Sequence, residues 1–150
     1  MSLEKYIKEY SEETLIFDEG DLGDKMYIVK EGTIRIELNV KNSNDENEIK
    51  ILGKLEKGEF FGEMALIDDS SRSARAVSET HSQLVLLNKN RFYKLIESSP
   101  EFAIKIVRKI STRLKEANER MREVAKLKKE SKILHFLVEF IFETGVDNVL

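Results

Sequence analysis

Glycine and proline divide this chain in two. Six of its seven glycines, Gly20, Gly23, Gly32, Gly53, Gly58 and Gly62, lie before residue 63, the seventh is Gly145, and the only proline is Pro100. The residues that open turns and break helices are crowded into the first half and nearly absent from the second. Such a chain reads as short strands joined by turns, followed by long helices.

The 150 residues suit one domain, or one domain with an appendage, and bury enough surface to fold without staples. Cysteine is absent, which excludes a disulfide framework, an iron–sulfur cluster and a cysteine zinc site, and fits a reducing compartment. The 25 basic and 28 acidic side chains leave a net charge of −3, so the chain as a whole is not a polyanion binder. Met1 to Lys5 carries charges and no apolar core of a signal peptide. The most apolar stretch, Ile133 to Phe142, is too short to span a bilayer and contains His135 and Glu139. The expectation is a soluble, cytoplasmic protein with no membrane partner.

Thr33 to Val40 alternates, with Ile34, Ile36, Leu38 and Val40 on one face and Arg35, Glu37 and Asn39 on the other. That is the pattern of a half-buried antiparallel strand. Met26 to Val29 precedes it across the turn signal Glu31-Gly32. Lys41 to Glu48, polar and rich in Asn, reads as a hairpin loop, and Ile49 to Leu55 as the returning strand. Leu15 to Phe17, Glu59 to Phe61, Ser73 to Ser78 and Ser82 to Leu87 bring the count to seven or eight, as in a sandwich or barrel. Ahead of the strands, Leu3, Tyr6, Ile7 and Tyr10 stand at helical spacing and predict one short amphipathic helix.

Asn88 is the expected cap of a helix over Lys89 to Ser98, and Ser99-Pro100 opens a second one with no breaker before Gly145. Along the latter, Ile110, Leu114, Ala117, Met121 and Val124 recur in steps of four and three, flanked by charges such as Lys115, Glu116, Glu119 and Arg120. The stripe fits an amphipathic helix lying on its own domain, but it is narrower than a globular core face requires, and the expectation is pairing with a second copy, a homodimer through residues 106–124.

One segment carries chemistry: Phe61-Gly62-Glu63-Met64-Ala65-Leu66, a polar loop, then Arg72-Ser73-Ala74. Gly62 ends a strand signal and opens a short helical stretch, Glu63 to Ile67. Free N–H groups at a helix start favour an anion, and glycine there permits close approach to the backbone. Arg72 can grip a phosphate with two hydrogen bonds, and the Glu63 carboxylate can accept from a sugar hydroxyl. On spacing alone, a Glu63–Arg72 salt bridge explains the same residues.

The segment resembles the phosphate-binding cassette of the cyclic-nucleotide-binding domain family, the family of the catabolite activator protein and the regulatory subunits of protein kinase A. The upstream half, Phe17-Asp18-Glu19-Gly20-Asp21, Gly23 to Val29 and Gly32, is similar to that family's opening turn and strand. The resemblance implies a double-stranded β-helix (jelly-roll) barrel of about eight strands, a short phosphate-binding helix and a long dimerisation helix. It divides the chain into a β barrel with flanking short helices at 1–99, a dimerisation and signalling helix at 100–130, and a terminal helix at 131–150.

The resemblance also implies residue roles. Glu63 would accept the ribose 2′-hydroxyl, and Arg72 would pair with the phosphate oxygens. Ser73 and the N–H groups of Ala65 and Ala74 would complete the cradle, within a cassette that includes Phe61, Gly62 and Met64. Leu52 and Gly53 fall where the barrel wall approaches the base. Asn118 falls where the long helix caps the base, or is a solvated, register-setting residue beside Ala117. Serine at position 73 leans toward cAMP over cGMP. No catalytic residue, metal ligand or cofactor is implied.

The implied function is a cyclic-nucleotide sensor, the effector portion of a transcriptional regulator. Two other readings compete with it: an interaction module that has lost its ligand, and a cupin-like metalloenzyme, for which His81 and His135 are the only histidines. Ser131 to Thr144 is similar to the first helix of a winged helix-turn-helix, and no recognition helix fits in Gly145 to Leu150, so DNA would be reached only through a domain absent from this chain. Ile133, Leu134, Phe136, Leu137, Val138, Phe140, Ile141 and Phe142 are apolar on nearly all sides, which fits part of a longer regulator or burial in a second subunit.

Overall fold

The computed structural model describes residues 3–144, with side chains described for residues 5–139. The chain divides into two units, Met1–Ser98 and Ser99–Leu150.

The first unit is a β-roll. Its strands are β1 (Ile7–Tyr10), β2 (Leu15–Phe17), β3 (Lys25–Glu31), β4 (Ile34–Lys41), β5 (Asn47–Leu55), β6 (Phe60–Phe61), β7 (Arg75–Ser78) and β8 (Ser82–Asn88). Two helices join them, α1 (Glu63–Ile67) and α2 (Lys89–Ser98). The strands form two four-stranded antiparallel sheets, in the orders β1-β8-β3-β6 and β2-β7-β4-β5. The eight strands and the roll agree with the expected class, but the sheets remain separate and do not close into a barrel.

Both sheets feed one core. Tyr10, Tyr27, Val29, Ile34, Leu55, Phe61, Ala76 and Leu84 are buried together, with Ile16, Phe17, Ile36 and Leu86 packed against them. Fully burying a side chain such as Ile34 or Leu84 contributes about 1.5–3 kcal/mol. On β4 the polar face is not solvated throughout. Glu37 is buried because Arg35 and Arg75 close over it, with Arg35 Nε 2.8 Å and Arg75 Nε 3.6 Å from its carboxylate. A buried carboxylate survives only with such partners.

The expected N-terminal helix is a correction. Leu3–Tyr6 forms one 3-10 turn and Ile7–Tyr10 is a strand, paired with β8 from Ile7↔Val85 to Tyr10↔Ser82. Pairing satisfies the backbone of those four residues, and Tyr10 joins the core from the strand. The cassette arm is shorter in strand than expected, since β7 begins at Arg75 and Ser73 lies in a bend.

The second unit contains α3 (Pro100–Thr144). Ser99 Oγ accepts the Phe102 N–H at 3.3 Å, and Pro100 occupies the first helical position. The helix crosses Glu130 and Ser131 without a break. Leu114, Met121 and Val124 are at least half exposed, as are Ile133, Leu134 and Phe136. The side chains of Phe140, Ile141 and Phe142, and all of Gly145 to Leu150, lie outside the described residues. Among the described residues no helix is long and apolar enough to cross a membrane.

Candidate functional site

The site is built where β6 turns into α1. β6 is fixed by pairing with β3, Tyr27↔Phe61 and Ile28↔Phe60. Gly62 then takes a left-handed conformation, φ 76°, which an L side chain adopts only with strain. This turn starts α1 and leaves Glu63 at its first position, 1% exposed. Ala65 and Leu66 are buried on the same helix, while Met64 and Ile67 face outward.

The loop after α1 is tied down by polar contacts. Asp68 Oδ1 accepts the Ser70 N–H at 3.1 Å, and hydrogen bonds from Ser70 hold the Asp68 carboxyl below its usual range. Lys89 at the start of α2 pairs with Asp69. The β2–β3 loop then clamps the backbone of Arg72. Its N–H donates to the Asp21 carbonyl and its carbonyl accepts the Gly20 N–H, both at 2.8 Å, beside an isolated bridge between Leu22 and Ser71.

Arg72 is therefore placed by its backbone before its side chain is considered. The side chain is buried. Nη1 donates to the Gly62 carbonyl at 2.7 Å and Nη2 to the Lys25 carbonyl at 2.6 Å. Its Cζ lies over the Phe17 ring, 4.2 Å from the centroid, and 5.8 Å from that of Tyr27. Nε is buried with no hydrogen-bond partner. Burial pulls the Arg72 pKa below the usual arginine value, opposed by Tyr27, Asp24, Asp21 and Glu63. The group remains a cation at neutral pH. Its two hydrogen bonds run to neutral carbonyls, while the Glu63 carboxylate acts on it electrostatically.

A buried cation whose hydrogen bonds go to neutral carbonyls, with its Nε–H unpartnered, is suited to an anion. The helix start adjacent to it favours the same charge. Two glycines make the arrangement possible by close approach. A Cβ on Gly62 would stand 2.6 Å from Arg72 Nη1, and one on Gly23 would stand 2.3 Å from the Ala65 Cβ and 2.9 Å from Arg72 Cζ. What approaches Gly62 in this structure is thus the arginine.

Gly62 and Arg72 meet, and Glu63, next in the chain, acts on Arg72 electrostatically. Ala65 and Ala74 are buried beside them in the cassette, and Ser73 is exposed. Phe61 serves the core, stacked on Tyr27 at 5.1 Å. Leu52 and Gly53 lie on β5, where Ile36 pairs with Gly53 and Glu37 with Ile51, so Leu52 is an extra residue in a bulge. Such bulges re-aim side chains, and Leu52 alone between Asn47 and Lys54 is half-buried. Asn118 is exposed on α3, in the second unit. The roles of Phe17 and Gly23 at Arg72 were not legible from spacing, because each depends on a contact between segments far apart in the chain. His81 and His135 are exposed, and among the described residues no group of three or more His, Cys, Asp or Glu could hold a metal ion.

The fold and the cassette define a β-roll module with a buried arginine at the start of α1. The cyclic nucleotide-binding domain pattern matches residues 7–99, and the chain belongs to that family. It is 35% identical over 103 residues to the cyclic AMP receptor protein of Thermus thermophilus, an alignment covering 69% of this chain and 46% of the receptor. With the CRP-like cAMP-activated global transcriptional regulator of Mycobacterium tuberculosis it shares 26% identity over 109 residues, 73% of this chain and 47% of the regulator. The crystal structure of the Thermus thermophilus catabolite activator protein superposes with a TM-score of 0.71 at 30% identity, over 82% of this chain and 57% of the other. The chain spans about half the length of these relatives.

Proposed function

We propose that this chain is a cAMP-binding sensor module that pairs through α3 and passes occupancy to an output function, as the effector part of a transcriptional regulator. The observation that carries the ligand reading is Arg72, a buried cation with an unused Nε–H, set beside the start of α1 and the Glu63 carboxylate. A cyclic phosphate supplies the anion, and its ribose supplies a hydroxyl for Glu63. The family, and the regulators that match it, support the same reading. Ser73 favours cAMP over cGMP by resemblance. Pairing is supported by the exposed seam of Ile110, Leu114, Met121 and Val124. A ligand shifts such a module only by binding one arrangement better than another.

Calorimetry with cAMP, cGMP and 5′-AMP tests the ligand. cAMP should bind most tightly. Arg72→Ala removes a charge-assisted pair of roughly 1.5–3 kcal/mol, so affinity should fall about ten- to hundredfold in a folded protein. A parent protein that binds no cyclic nucleotide, or an Arg72→Ala protein that binds as the parent does, would overturn the assignment.

A further inference from the structure

We infer that Phe17 is a positioning residue of the anion site: its ring holds the Arg72 guanidinium in the orientation that meets the phosphate. The inference rests on the ligand reading above and assigns a further residue to that site.

The two hydrogen bonds of Arg72 to the carbonyls of Gly62 and Lys25 act within the plane of the guanidinium. They hold two of its nitrogens and leave the rest of the group to other contacts. Phe17 lies 4.2 Å from Cζ, well inside the range in which a ring attracts a cation.

Phe17 is itself held in place. In β2, Leu15 pairs with Val77 and Phe17 with Ala76, so Ile16 is an extra residue and the strand bends at a bulge. The ring then packs against Tyr27 at 5.7 Å and Phe61 at 5.8 Å, and those two stack on each other. Two rings, Phe17 and Tyr27, thus lie against the cation, and Phe61 packs behind them.

An aromatic residue does here what neither alternative can. An acid at position 17 would pair with Arg72 and compete with the phosphate. An aliphatic residue would leave a desolvated cation against a surface that does not attract it. A ring offsets part of the desolvation and leaves the positive charge uncompensated for the ligand.

The test uses Phe17→Leu, which keeps an apolar side chain, and Phe17→Tyr, which keeps the ring. In ligand-free protein, the Arg72 Nε–H nuclear magnetic resonance should be slow to exchange and shifted upfield by the ring in the parent and in Phe17→Tyr, and neither in Phe17→Leu. In cAMP titrations Phe17→Leu should bind about ten- to thirtyfold more weakly, and Phe17→Tyr within about threefold of the parent. In an Arg72→Ala background the Phe17→Leu loss should fall below about twofold, because the residue acts through the arginine. Equal losses in both backgrounds, or a folded Phe17→Leu protein with parental affinity, would overturn the inference. A parent that binds no cyclic nucleotide would overturn the proposed function, while the ligand-free resonance would still support or refute the hold of Phe17 on Arg72.

Discussion

Gly62 and Arg72 fit each other in two ways at once: the glycine carbonyl accepts from Nη1 at 2.7 Å, and the missing glycine side chain leaves room for that same nitrogen. The backbone at Gly62 has φ 76°, so an alanine there is strained before it touches anything. Left-handed geometry costs a non-glycine residue about 1–2 kcal/mol. Gly62→Ala should lower the melting temperature by roughly 3–8 °C. It should also weaken cAMP binding about tenfold or more, because the new Cβ displaces the guanidinium. In an Arg72→Ala background the clash with the guanidinium disappears and only the tighter approach to the Lys25 carbonyl, 3.3 Å, remains, so the added effect on affinity should be small. Thermal unfolding with calorimetry on the four proteins checks both parts, and an undiminished effect of Gly62→Ala without Arg72 would contradict this account.

Glu63 gives a prediction that separates sugar from phosphate. It is buried at the first position of α1, and under the proposed function it accepts from a hydroxyl of the ligand whose phosphate meets Arg72. Glu63→Gln keeps an acceptor and loses the charge, so it should weaken cAMP binding less than Glu63→Ala does. 2′-Deoxy-cAMP should bind the parent poorly and be nearly indifferent to Glu63→Ala. Losses that simply add for the two changes would mean that carboxylate and hydroxyl do not meet.

Much of this architecture was legible because local chemistry decided it. Asn88 Oδ1 accepts the Arg91 N–H at 3.0 Å, so the cap that marked α2 in the sequence is the one that starts it. Ser99-Pro100 did the same for α3, and Gly62 for α1. Ile7 to Tyr10 was misread because four residues fit both periods, and only the partner strand β8 decides between them. Burial of Glu37 was hidden for a related reason. Alternation placed it on the polar face of β4, but Arg75, which helps to cover it, arrives from β7. The site divides in the same manner. Its charged residues stand in one contiguous motif, whereas Phe17, Gly23 and the Lys25 carbonyl reach Arg72 from a loop and strands 47 or more residues earlier.

Tyr27 links the aromatic cluster to alkaline stability. Burial raises its pKa above the ordinary tyrosine value near 10, helped by Tyr10 and opposed by Arg72 and Lys25. A raised folded-state pKa means that the folded protein holds the phenol proton more tightly than the unfolded chain does. The associated stability is complete below about pH 10 and is lost as pH rises through the folded value. Tyr27→Phe keeps the stacked ring and removes this titration. Denaturant midpoints of parent and variant, followed from pH 8 to 11, should therefore fall less steeply for Tyr27→Phe above about pH 10. Parallel curves would show that Tyr27 does not carry the alkaline loss.

The seam on α3 tests how the module would assemble. Leu114 and Met121, one heptad apart, are 61% and 67% exposed on a single chain, in line with Ile110, Ala117 and Val124. Apolar residues at alternating steps of three and four with charged flanks match a two-stranded coiled coil, and a second copy in parallel would cover them. Replacing Leu114 and Met121 together with Glu removes two apolar contacts, each worth roughly 1.5–3 kcal/mol of burial, and sets like charges across the two-fold axis. Light scattering across a concentration series should give a dimer for the parent and a monomer for the double variant. The β-roll unit of the variant should keep its far-ultraviolet circular dichroism, since neither residue lies in Met1–Ser98. A parent that stays monomeric at high concentration, with and without cAMP, would remove the pairing. A double variant that remains dimeric would move the contact to another surface of the chain.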